Sequence, residues 1–76
     1  IQDEILSIIH GTSGVISSHK LKTRKVGNVF IIDVHIQLNK DISFVKSHDI
    51  ATEVERKLRN KYGDQTQISI HTEPIG

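Results

Sequence analysis

The end of the chain carries the residues whose types and spacing point most specifically to a chemical function. The segment ISIHTEP, residues 68–74, places His71 and Glu73 two positions apart after an apolar run. Residues two apart on a β-strand point to the same face, so an imidazole and a carboxylate would share one surface there. Such a pair is either a solvated polar strand end or one half of a binding site.

The chain has five histidines in 76 residues, and the others could join His71 in such a binding site. His35 lies in the most regular alternating segment of the chain, on the face opposite the apolar residues. It would meet His71 and Glu73 if the two strands were neighbours. Imidazole and carboxylate donors without sulfur suit Zn²⁺ and similar divalent transition ions. The spacing is typical of a cation site and of a wet polar face, and it leaves both open.

The remaining histidines fit a cation site less directly. Simple alternation puts His19 on the same face as the apolar Leu21, so a β-bulge or an early strand end must turn it outward. His48 flanks the apolar stripe of a predicted helix, where a packed and hydrogen-bonded histidine is the commoner arrangement. His10 ends a predicted helix, where a cation interacts favourably with the helix dipole, and we interpret it as structural.

Composition restricts the class of protein. The residues are 36% hydrophobic, 25% charged and only 4% aromatic, which indicates one small globular domain with a core of Ile, Val and Leu. A net charge of +1 does not favour a nucleic-acid binder, and without cysteine there is no disulfide or thiolate metal site. We find no nucleophile–base arrangement or phosphate loop, so the sequence does not predict an enzyme.

Hydrophobic periodicity predicts five elements in the order α-β-β-α-β. Their expected bounds are a helix over Gln2–His10, strands over Val15–Lys25 and Val29–Leu38, a helix from the N-cap Ser43 to Tyr62, and a strand over Thr66–Glu73. A turn at Gly27 makes the first two strands a hairpin, Gly63 stops the second helix, and Pro74 ends the last strand.

The apolar residues of these elements predict an α+β fold with two helices on one face of a three-stranded sheet. The core-facing strand residues are Phe30, Ile32, Val34, Ile36 and Leu38, and the helical stripe is Phe44, Ala51, Val54, Leu58 and Tyr62. The other face of the sheet is left open. It would carry Ile31, Asp33, His35, His71 and Glu73, so the carboxylate–imidazole pair is not alone on its face.

The first strand is strongly basic. Lys20, Lys22, Arg24 and Lys25 lie within six residues of each other. A charged edge strand resists edge-to-edge aggregation, and this is the interpretation that we favour. An anionic partner such as lipid headgroups is the alternative.

As a whole, the sequence resembles the C-terminal cytoplasmic domain of cation diffusion facilitator transporters, the zinc and divalent-cation efflux family. The similarity extends over essentially the full chain. Its segments are Gly14-Val15, HKLKTR at 19–24 followed by Gly27, IDVHI at 32–36, HDIA at 48–51 with VE at 54–55, and IHTEP at 70–74.

The resemblance implies an open ferredoxin-like, metallochaperone-like fold in which residues 1–76 form one cytoplasmic domain of a larger membrane transporter. It also implies a homodimer attached to a transmembrane domain, and a regulatory role in which cytosolic zinc or another divalent metal tunes its own efflux. The positions that match the ligands of the family are His19, His35, His48, His71 and Glu73. The family's last acidic position is commonly Asp, so Glu73 is one methylene longer. A dimerisation scaffold of the same family that ignores metal is the alternative function.

Overall fold

The computed structural model describes residues 1–75, and its elements follow the predicted α-β-β-α-β order. The helices are α1 (Gln2–His10) and α2 (Phe44–Tyr62), and the strands are β1 (Ser17–Val26), β2 (Val29–Asn39) and β3 (Gln67–Ile75). The strand order is β1-β2-β3, with β1 antiparallel and β3 parallel to β2. No helix within residues 1–75 is both long and apolar enough to cross a membrane.

Local chemistry explains where α2 and the hairpin begin and end. The Ser43 hydroxyl accepts a hydrogen bond from the Lys46 backbone N–H at 3.0 Å, which caps the first turn of α2. Gly63 follows the last turn with φ 111°, a backbone conformation that favours glycine. Gly27 has φ 60° at the first position of the two-residue turn between β1 and β2, where tight hairpins place glycine.

The core lies between the helices and one face of the sheet, as the alternation of β2 predicts. Side chains from α1, β2 and α2 form one buried cluster, which consists of Ile5, Ile9, Ile32, Val34, Ile36, Leu38, Ile50, Val54 and Leu58. Because both helices pack on this face, the opposite face of the sheet stays uncovered within residues 1–75. The fold prediction is confirmed.

Two local predictions need correction. Phe44 is 85% exposed rather than part of the apolar stripe, because the first turn of α2 lies beside the outer edge of β3, and the buried position is Ile50 instead. Pro74 does not end β3, which pairs with β2 through Ile75. An edge strand bonds to one neighbour only, so a proline is tolerated within it.

Candidate metal centre

The strand register places three histidines in one row across the sheet. His19 lies opposite His35 in the antiparallel pair, and His35 lies opposite His71 in the parallel pair. Glu73 occupies the next row, opposite Gln37. These residues are far apart in sequence, and the pairing of the three strands brings them together on the open face.

A β-bulge turns His19 onto that face. The pairing of β1 with β2 shifts by one residue between His19 and Lys22, and Lys20 takes a left-handed φ of 56° there. Because the bulge absorbs one extra residue, Leu21 can pack against the core while His19 points to the opposite face. The outward turn that sequence alternation required is therefore present.

Glu73 joins two of the histidines through both of its carboxylate oxygens. His19 Nε2 donates to Oε1 at 2.6 Å, and His35 Nδ1 donates to Oε2 at 2.8 Å. The hydrogen bonds from His35 and then His19 hold the pKa of Glu73 below its usual value. The His19 and His35 rings meet edge to face, with centroids 5.4 Å apart. The carboxylate is thus ionised and held in place before any cation arrives.

These three side chains have the donor chemistry of a transition-metal site. One donor atom from each of His19, His35 and Glu73 lies within 4.8 Å of the others. Donors of one tetrahedral zinc ion lie about 3.3 Å apart, given bond lengths of about 2.0–2.2 Å. The three donor atoms lie within 4.8 Å of one another and are of the types that zinc takes, so the residues present fit a divalent cation.

His71 is next to this cluster but is directed elsewhere. Its ring stacks on His35 with centroids 4.6 Å apart and an interplanar angle of 18°. Its Nε2 lies 3.1 Å from Asp33 Oδ1, which is an ion-pair distance without hydrogen-bond alignment. That oxygen is buried and has no hydrogen-bond partner within residues 1–75. A buried acceptor of this kind calls for water or a cation.

Asp33 is a further functional candidate: strand alternation puts it on the open face, but no ligand role was predicted for it. The sequence contains a signal for such a role, because Asp33 and His35 are two residues apart on β2, as His71 and Glu73 are on β3. Parallel pairing opposes His35 and His71, which puts Asp33 diagonally beside His71. Three carboxylate–imidazole contacts therefore lie on this face, two at Glu73 and one at Asp33.

His48 and His10 lie apart from the cluster. His48 is exposed on α2 and borders a groove with Phe44, Ala51, Ile70 and other residues, on the helical side of the sheet. A cation held by His19, His35 and Glu73 is on the opposite side, so His48 of the same chain does not reach it. His10 Nε2 contacts Ser18 Oγ at 2.8 Å, which joins the end of α1 to β1. The ligand roles of all five predicted residues stay predictions.

Comparison with known proteins gives the context of this site. Residues 1–75 match the model of the family described as cation efflux protein, cytoplasmic domain. The cation-efflux pump FieF of Yersinia enterocolitica is 32% identical over 73 residues, which are 96% of this chain and 24% of that protein. The chain spans about a quarter of the length of the curated relatives it matches.

Solved structures share the fold. A structure of CzrB, described as a candidate zinc transporter, superposes with a TM-score of 0.89 at 26% identity, over 99% of this chain and 93% of that one. The metal-bound C-terminal domain of the CzcD transporter from Thermotoga maritima has the same fold, with a TM-score of 0.86 at 24% identity over 99% and 87% of the two chains. The family is one of cation transporter domains, which confirms that this chain is not an enzyme. The chain belongs to the cytoplasmic-domain family of cation efflux proteins.

Proposed function

We propose that this chain is the C-terminal cytoplasmic domain of a larger membrane transporter and that it binds a divalent cation, zinc first, through His19, His35 and Glu73. The observation that carries the proposal is the convergence of their donor atoms within 4.8 Å on an uncovered sheet face. Each donor comes from a different strand, so a bound cation would join all three strands of the sheet.

The donor set favours zinc over other common cations. Two imidazole nitrogens and one carboxylate oxygen suit Zn²⁺, whereas Ca²⁺ and Mg²⁺ prefer oxygen ligands throughout. With three protein donors, a fourth position is left for water or another side chain. The likeness to CzrB, described as a candidate zinc transporter, supports the same choice.

Asp33 and His71 offer a second position on the same face. The buried Asp33 Oδ1 lacks a hydrogen-bond partner among the described residues, and His71 Nε2 lies 3.1 Å away, near the separation of two donors to one ion. A cation here would satisfy that oxygen. We therefore expect up to two ions per chain, the second bound more weakly because this position has fewer protein donors.

Homodimerisation is the second part of the proposal. Phe44 and Val45 are 85% and 68% exposed, an apolar pair at the start of α2 beside the outer edge of β3. The groove next to Phe44 also includes Glu73. Apolar residues exposed together mark interaction sites, and a second copy of the chain is the partner that the family implies. His48 borders the same surface, so it could act as a ligand only to a cation held by the other subunit of the dimer.

A cation at this surface would couple the metal level to the arrangement of two domains. A ligand that binds one arrangement of a dimer more tightly shifts the population toward it. Because Glu73 lies both in the cation cluster and in the groove at Phe44, metal binding and docking of a second copy would influence each other. In the parent transporter, this shift would bias the attached membrane helices and so tune efflux.

Calorimetric titration of the metal-free chain with Zn²⁺ at pH 7 tests the cation site. We expect saturable binding of one or two ions per chain at micromolar affinity or tighter, weakened at least tenfold by Glu73→Gln. Glu53→Gln is the matched control, because Glu53 is a half-buried glutamate that pairs with Arg56 on α2, away from the cluster. Absence of saturable binding by the wild-type chain would leave the metal-independent scaffold as the function.

Sedimentation velocity tests the dimer separately. We expect zinc to raise the dimer fraction of the wild-type chain and Phe44→Ser to lower it without changing the melting temperature, because Phe44 is 85% exposed. A dimer that forms equally with and without zinc would support the scaffold alternative. A wild-type chain that stays monomeric at high concentration in both conditions would refute the proposed interface.

A further inference from the structure

We propose that the basic β1 strand binds the anionic headgroups of the bilayer to which the proposed function attaches this domain. The strand carries Lys20, Lys22, Arg24 and Lys25, four of the ten lysine and arginine residues of the chain. This inference goes beyond cation binding and dimerisation, and it uses none of the residues of the cation cluster. Its basis is a concentration of exposed positive charge that forms no ion pair within residues 1–75.

All four side chains are exposed, and no carboxylate within residues 1–75 lies within 4 Å of any of them. The arginines of α2 differ, because Arg56 pairs with Glu53 at 2.7 Å and Arg59 with Glu55 at 3.4 Å. The Lys25 ammonium lies 5.4 Å from the Phe30 ring centroid, a contact that leaves its charge unbalanced. The positive charge of β1 is therefore available to an external partner.

The geometry of β1 presents these charges along one edge of the domain. Lys22 and Arg24 lie opposite Asp33 and Ile31 and share the open face, whereas Lys25 points to the other side and Lys20 projects from the bulge. Because β1 is an edge strand, a flat surface can meet it edge-on. Lysine and arginine side chains are long enough to reach such a surface from both sides of the strand.

A bilayer fits this edge better than a nucleic acid does. Binders of single-stranded nucleic acid stack bases on exposed aromatic rings, and the chain has only three aromatic residues. Two of them, Phe30 and Tyr62, pack against each other with ring centroids 5.2 Å apart. The cytoplasmic leaflet carries anionic lipids and attracts clusters of four or more basic residues. The proposed function, on which this step rests, attaches the domain to a membrane transporter.

The test is binding of the 76-residue chain to vesicles by flotation, in EDTA and low salt. The probe is phosphatidylcholine vesicles with about 30% phosphatidylserine, compared with vesicles of phosphatidylcholine alone. One basic residue near an anionic bilayer changes partition about fivefold, so Lys22→Gln with Arg24→Gln should weaken binding about 25-fold. EDTA removes any bound cation, so this result does not depend on the proposed metal site.

The matched control is Lys57→Gln with Lys61→Gln, which removes the same charge from the helical side of the domain. We expect this control to bind within about threefold of the wild-type chain, and all binding to be lost at high salt. The proposal is overturned if both double variants lose affinity equally or if phosphatidylserine makes no difference. Tighter binding to a fluorescent oligonucleotide than to the vesicles would also overturn it, in favour of a nucleic-acid partner.

Discussion

Replacing His35 by alanine is the sharpest test of how the cation cluster is built. His35 lies at the centre of the open face, where its Nδ1 donates to Glu73 and its ring contacts the rings of both His19 and His71. Its side chain is 25% exposed, the least of the three cluster residues. Alanine removes one of the three donor atoms of the cluster.

The size of the effect follows from the number of donors. Zinc binding to a structural four-ligand site has a free energy of about 10–16 kcal/mol, or about 2.5–4 kcal/mol for each ligand. The loss of one donor from this cluster should therefore weaken zinc binding about 10²–10³-fold. Glu73, which bonds both histidines, is partly exposed to water. We therefore expect the loss of affinity to fall at the lower end of that range.

The assay is competition with a chromophoric chelator at pH 7, which measures affinities too tight for direct titration. His10→Ala is the matched control, because it removes an exposed imidazole that contacts only Ser18 in the side-chain hydrogen bonds of residues 1–75. We expect His10→Ala to bind zinc within about threefold of the wild-type chain. Equal affinities of the two variants, with both folded by circular dichroism, would refute the assignment of His35 as a ligand.

Three further predictions concern stability. Lys20→Gly should raise the melting temperature by a few degrees because it relieves a left-handed φ of 56°, whereas Lys22→Gly in the regular strand should lower it. Leu58→Ala should cost about 2–5 kcal/mol in urea unfolding, because Leu58 is fully buried. The Glu73 pKa is lower in the folded state than its ordinary value of 4.5, so its stabilising effect is present above that value and is lost as the pH falls below it. Melting curves of metal-free wild-type and Glu73→Gln chains at pH 6 and pH 3.5 should therefore converge at the lower pH.

Zinc affinity has its own pH dependence. Metal ligation needs neutral imidazoles, so binding should weaken as the pH falls. Chelator competition between pH 5.5 and 7.5 measures this effect. An affinity that does not change over that range would argue against histidine donors.

The bounds of the elements were mostly predictable from the sequence because local signals set them. The α1 helix matches its predicted range, and α2 begins after Ser43 and stops at Gly63 as its capping residues indicate. The alternation of β2 identified which of its faces is buried. Phe44 and Pro74 were misinterpreted because their environment depends on how far the neighbouring elements extend, which local patterns do not contain.

By itself, the sequence determined the α-β-β-α-β order, the buried face of the central strand and a shortlist of imidazole and carboxylate donors. Only the tertiary structure decided which donors meet. It turned His19 outward at a bulge, paired Asp33 with His71 and separated His48 from the cluster within one chain. The physical reason is that backbone periodicity acts over a few residues, whereas the register between strands is set by packing among residues far apart in the chain.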